Sequence, residues 1–143
     1  MPLTATRERS MSCRLSHEPV QVGHAREQTR EALFGWGIGE HAELAELIVS
    51  ELVTNAIRHG DGLVQVRVSY ACGDLRVEVH DDGAGRPVRR QATAEDESGR
   101  GLALLDGLTG LYGGRRGIAD DRAGHGKTVY VVICLAAGPV GVP

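Results

Sequence analysis

Lysine is nearly missing from this chain: Lys127 alone stands against 15 arginines. Aromatic side chains are also scarce, with three Tyr, one Trp and one Phe, so the core must be aliphatic, built from Val, Leu, Ile and Ala. Cys13, Cys72 and Cys134 are odd in number and lack metal-ligand or redox spacing, which argues against a disulfide framework and a zinc site. No stretch approaches the roughly 20 apolar residues that a membrane span needs. The N-terminus (MPLTATRERS) carries charge without a following apolar segment of signal-peptide type. The net charge of −3 and the scattered arginines leave no basic stripe for nucleic acid. These absences predict a cytoplasmic protein that touches neither membrane nor nucleic acid directly.

What is present fits one domain. A chain of 143 residues with 41% hydrophobic and 24% charged content can bury one real core and has little room for a second. Ordered patterning is expected over 13–135, with residues 1–12 a disordered extension and 136–143 (AGPVGVP and its preceding alanine) a disordered tail. Cys13 to His17 reads as a short edge strand. Pro19 then opens an amphipathic helix (Val22, Ala25, Ala32, Leu33) that the Gly35-Trp36-Gly37-Ile38-Gly39 cluster ends. Leu63 to Ala71 (Val64, Val66, Val68, Tyr70) and Leu75 to His80 alternate with period two, and the short Cys72-Gly73-Asp74 connection makes them a hairpin. Residues 86–98 (RPVRRQATAEDES) have no apolar period and read as a mobile, lid-like loop. A helix bearing Leu102, Leu104, Leu105 and Leu108 follows, then a Gly/Arg-rich connection, then a buried strand from Thr128 to Leu135. The predicted fold is an α/β two-layer sandwich: a mixed, mostly antiparallel sheet with helices on one face.

The segment Glu40 to Gly60 carries the strongest functional signal. Winding at about 100° per residue places Leu44, Leu47, Ile48 and Leu52 in one arc, with Glu51 and Asn55 inside it. Burying an unpaired carboxylate is costly, so Glu51 requires partners, water or a ligand beside it. One turn apart on one face, an amide oxygen and a carboxylate suit magnesium bound to phosphates and a group that must take a proton. Arg58 borders the arc and can meet phosphate.

Three further segments offer ligand contacts, each weak alone. Asp81, in Asp81-Asp82-Gly83-Ala84-Gly85, can accept a hydrogen bond from an exocyclic amine and so select adenine over guanine, while Gly83 and Gly85 allow close backbone approach. Gly99-Arg100-Gly101, followed by Leu102, presents free backbone N–H groups at a helix start, which suits phosphate. Gly126-Lys127-Thr128 opens the last strand, with Lys127 a candidate contact.

In this order, E-x-x-x-N, D-x-G-x-G, G-x-G-L and G-x-T resemble the GHKL superfamily, whose gyrase, chaperone, histidine-kinase and mismatch-repair members share the Bergerat ATP-binding fold. Within it, SELVTNAIRHG, VEVHDDGAGRP, GRGLALLDGL and GKTVYVV look most like stand-alone bacterial anti-sigma-factor serine/threonine kinases. The resemblance implies ATP and Mg²⁺ as ligands, with Asn55 holding the metal and Glu51 the catalytic base. It implies that Asp81 binds the adenine amine with Thr128 supporting it through water, that Gly83 and Gly85 line the base and sugar, and that Gly99, Arg100 and Gly101 close over the phosphates. It further implies a homodimer, a sigma factor as binding partner and a small antagonist protein as substrate. The alternative is a non-catalytic ATP-binding module whose nucleotide state gates a protein interaction. Ser16-His17-Glu18 is similar to a histidine-kinase phosphoacceptor box, but Pro19 interrupts it and leaves no long helical hairpin to carry the histidine.

Overall fold

The computed structural model describes residues 7–83, 104–120 and 126–136. Strands β1 (Arg9–Leu15), β2 (Val64–Ala71), β3 (Asp74–Asp81), β4 (Arg115–Asp120) and β5 (Lys127–Cys134) form one sheet in the order β1-β2-β3-β5-β4. Helices α1 (Gln21–Gly35) and α2 (Ala42–His59), the latter preceded by a 3₁₀ turn at Gly39–His41, share one hydrophobic core with a helical stretch at 104–111, α3, through Leu33, Ile48, Leu52 and Leu105. The expected α/β sandwich is present, but every pairing among the described residues is antiparallel rather than mixed. Because β5 is antiparallel to both β3 and β4, the latter two run parallel with β5 inserted between them.

Period two decides which side chains build the core. Val64, Val66 and Val68 of β2, Leu75, Val77 and Val79 of β3, and Val131 and Ile133 of β5 are all buried, and the register sets Val66 opposite Val79 and Val77 opposite Val131. These residues face the helices. The alternate residues, among them Gln65, Arg67, Glu78, His80 and Thr128, occupy the open face. The β2–β3 turn is tight because Cys72 (φ 54°) and Gly73 (φ 83°) both take the left-handed conformation that a two-residue hairpin demands. Helix α1 buries Ala25, Thr29 and Leu33 along one stripe, and the Thr29 hydroxyl donates to the Ala25 carbonyl at 2.8 Å. Its end is closed by the Ile38 N–H donating to the Leu33 carbonyl at 3.0 Å across Gly37.

Three expectations about the elements are corrected. Strand β1 begins at Arg9 rather than Cys13, so part of the segment expected to be disordered is paired, Arg9 with Tyr70 and Met11 with Val68. Its sequence RSMSCRL hides the strand because only Met11, Cys13 and Leu15 turn inward. The connection after α3 contains an unexpected strand, β4, which is an edge with Ile118 56% exposed and therefore shows no apolar alternation. Arg116 ties β4 to α3 through Asp106, and this hydrogen bond holds the Asp106 carboxyl below its ordinary range. That tether is complete at neutral pH and is lost as pH falls through the lowered Asp106 value. Finally, the buried arc of α2 runs through Ala45, Ile48, Val49, Leu52, Val53 and Ala56, leaving Leu47 38% exposed and Glu51 and Asn55 half-buried at its border. The 86–98 lid and most of the 136–143 tail lie outside the described residues.

The α2 correction is measurable in chemical denaturation. Ile48→Ala removes a fully buried side chain and is expected to cost about 2–5 kcal/mol, whereas Leu47→Ala should stay within about 0.5 kcal/mol. Equal losses at the two positions would mean that the arc is centred where the sequence pattern put it.

Candidate active site

The end of β3 presents a charged side chain where its two predecessors on that face are valines. Asp81 continues the inward series Val77, Val79 and is 1% exposed. A carboxylate so placed needs compensation, and the chain supplies it from two sides. The Gly83 N–H donates to Asp81 Oδ1 at 2.7 Å, closing a tight turn on the acid. From β5, whose register sets Lys127 opposite Asp81, the Lys127 ammonium lies 3.1 Å from Oδ2 and 3.3 Å from Oδ1. Lys127 is itself buried, so the lone lysine of the chain is committed to this acid.

Two glycines, Gly60 and Gly83, crowd the Asp81 carboxylate, and a third, Gly126, crowds its backbone carbonyl. A Cβ at Gly60, where α2 ends, would come within 2.4 Å of Asp81 Cγ, and one at Gly126 (φ 150°) would come within 2.4 Å of the Asp81 carbonyl oxygen. The helix end is thereby pressed against the strand end. Upstream on α2, Glu51 and Asn55 lie one turn apart on the border of the buried arc, and among the described residues neither side chain has a hydrogen bond or ion pair. Arg58 and His59 at the end of the helix both have interaction partners. The Asp82 N–H donates to the Asp61 carbonyl at 2.9 Å, fastening the loop after α2 to the end of β3.

The sequence-predicted residues thus divide. Asp81, Gly83 and Lys127 come together, and Glu51, Asn55 and Arg58 lie on the helix that runs to them. Thr128 does not join them. Its hydroxyl lies 3.0 Å from His80 Nδ1, in a depression on the open face of the sheet lined also by Ser12, Arg14, Gln65, Arg67 and Glu78. Support of Asp81 by Thr128 is therefore corrected: consecutive strand residues point to opposite faces, and the one facing Asp81 is Lys127. Gly85, Gly99, Arg100, Gly101 and Leu102 lie outside the described residues. Sequence reasoning missed Gly60 and Gly126 as parts of the site. Counting inward positions back from Val131 through Val129 to Lys127 carries the missing signal for β5.

A sheet with helices on one face and an acid sunk among glycines at a strand end is the architecture of an ATP-binding domain of GHKL type. The chain belongs to the histidine kinase-like ATPase domain family, whose model matches residues 15–132. No curated protein matches it. Membership makes this an ATP-binding domain of kinase-like type with a regulatory role. The residues present fit that ligand: Asp81 is a buried acceptor in a cradle that side chains would fill, and Asn55 and Glu51 offer oxygen donors of the kind Mg²⁺ takes. No helix among the described residues is long and apolar enough to cross a membrane.

The buried pair makes a stability prediction. Lys127→Met strands a buried carboxylate and is expected to cost about 3–5 kcal/mol, most of it recovered in the double variant Asp81→Asn/Lys127→Met. A double variant as unstable as the single would show that the pair is not what compensates Asp81.

Proposed function

We propose that the protein is an ATP-dependent serine/threonine kinase of anti-sigma-factor type, acting in the cytoplasm, that binds a sigma factor and phosphorylates a small antagonist protein. The observation that carries this reading is the pairing of Glu51 with Asn55 on the border of the α2 core, half-buried and without protein partners among the described residues, on the helix whose end packs against Asp81. A half-buried carboxylate left unpaired beside a nucleotide site has the position of a base.

In this reading Asp81 anchors the nucleotide base, Gly60 and Gly83 let the backbone lie close against it, and Arg58 faces the phosphates. Bound Mg²⁺ supplies neutralisation of phosphate charge, and Asn55 is the side chain that would hold it. Glu51 accepts the proton of the partner's serine hydroxyl as that oxygen forms its bond to the γ-phosphorus. ADP departs with the electron pair of the broken P–O bond. Phosphoryl transfer asks the protein mainly to position and neutralise, which these groups do.

Radiolabelled ATP and a candidate antagonist, co-purified or encoded nearby, test the assignment. Label is expected on a partner serine, and Glu51→Ala should lower transfer by about 10²-fold or more while leaving ATP binding within a few-fold. ATP binding with no transfer to any partner would reduce the protein to a nucleotide-gated interaction module.

A further inference from the structure

Lys127 holds Asp81 where the proposed site would hold the base, a relation that rests on the nucleotide-binding reading above. The Lys127 ammonium lies 3.1 Å from Asp81 Oδ2 and 3.3 Å from Oδ1, and the Gly83 N–H donates to Oδ1 at 2.7 Å. The backbone at Gly60 lies against a third side, where an added Cβ would come within 2.4 Å of Asp81 Cγ. The acid is almost wholly buried, and among the described residues no buried side-chain nitrogen or oxygen lacks a hydrogen-bond partner. The chain itself therefore compensates and encloses the carboxylate. A base amine is a neutral N–H donor, the same kind of group that the ammonium already supplies with a full charge, and hydrogen bonds from a charged donor are roughly twice as strong as neutral ones. In a site this closed the amine has no room beside the ammonium and must take its place.

We infer that Lys127 is an internal competitor for the base: its ammonium occupies the acceptor that a base amine needs, and a nucleotide binds at Asp81 by displacing it. Lys127 is the first residue of β5, so its flexible four-carbon stem has a route past the strand end into water, where an ammonium is strongly hydrated. The nucleotide's other contacts supply the energy that opens the pair, and the cost appears as lost affinity. Where the pair is open in only about one molecule in ten, the apparent dissociation constant rises about tenfold. The lone lysine of the chain is thus placed to hold the empty site closed and to withdraw when the ligand enters.

Because the chain has one lysine, acylation by acetic anhydride, mapped by peptide mass, reads the state of Lys127 directly, with the N-terminal amine as internal standard. Lys127 of the wild-type protein is expected to react slowly, and saturating ATP with Mg²⁺ should speed its acylation by about tenfold or more relative to the N-terminus. Calorimetric titration of ATP supplies the second arm. Lys127→Ala, although less stable, should bind ATP about tenfold or more tighter than wild type, while Lys127→Arg, which keeps a charged donor on the acid, should bind no tighter. A residue that served the fold alone would lose stability and affinity together. The acylation arm stands even where Lys127→Ala fails to fold. ATP that binds without exposing Lys127, or a folded Lys127→Ala that binds no tighter than wild type, overturns the inference and leaves the ATP-binding reading intact. Binding of no ATP by wild type or either variant overturns both.

Discussion

A charged carboxylate buried at the end of a core strand is the constraint around which this domain is arranged. Asp81 takes the place that period two would give to another valine, and a lone acid there would cost several kcal/mol. The fold meets the cost locally. The chain turns back at Gly83 to donate an N–H, β5 brings Lys127 across the sheet, and α2 stops at a glycine so that its end can lie against the acid without collision. Each of these features is meaningless for the core alone. They make sense as the walls of a site in which one polar group must be both buried and available.

The same constraint links sheet topology to function. Inserting β5 between β3 and β4 is what gives Asp81 a cross-strand partner, because β3 would otherwise be an edge on that side. It also separates two chemistries by face. Asp81 and Lys127 point toward the helices, where Glu51 and Asn55 lie, while His80 and Thr128 meet on the open face among Arg67 and Glu78. The proposed nucleotide position at Asp81 is therefore on the helix-facing side of the sheet, not on its open face.

Much of this was legible in the sequence, and the failures share a cause. The hairpin, both long helices, the inward valines and the acid before Gly83 follow from local periods and turn residues. Local pattern could not decide questions of pairing. Lys127 and Asp81 are 46 positions apart and meet only through strand register, so the family resemblance alone put Thr128 beside Asp81 and left Lys127 a candidate contact. Strand β4 pairs along one side only and leaves Ile118 in the open, so it shows no alternation to read. Leu47 looked buried because leucines flank the arc of α2 on both sides, and only packing against β2 and β3 fixes which side turns inward.

Backbone amide chemical shifts followed through a titration with Mg²⁺ and a non-hydrolysable ATP analogue test the central claim, that the nucleotide binds on the helix-facing side at Asp81. The account predicts the largest changes at Asn55, Gly60, Asp81, Gly83 and Gly126, with His80 and the open-face residues Gln65 and Arg67 nearly unmoved. Changes concentrated instead around His80, Thr128, Gln65 and Arg67 would place the ligand in the open-face depression and contradict it.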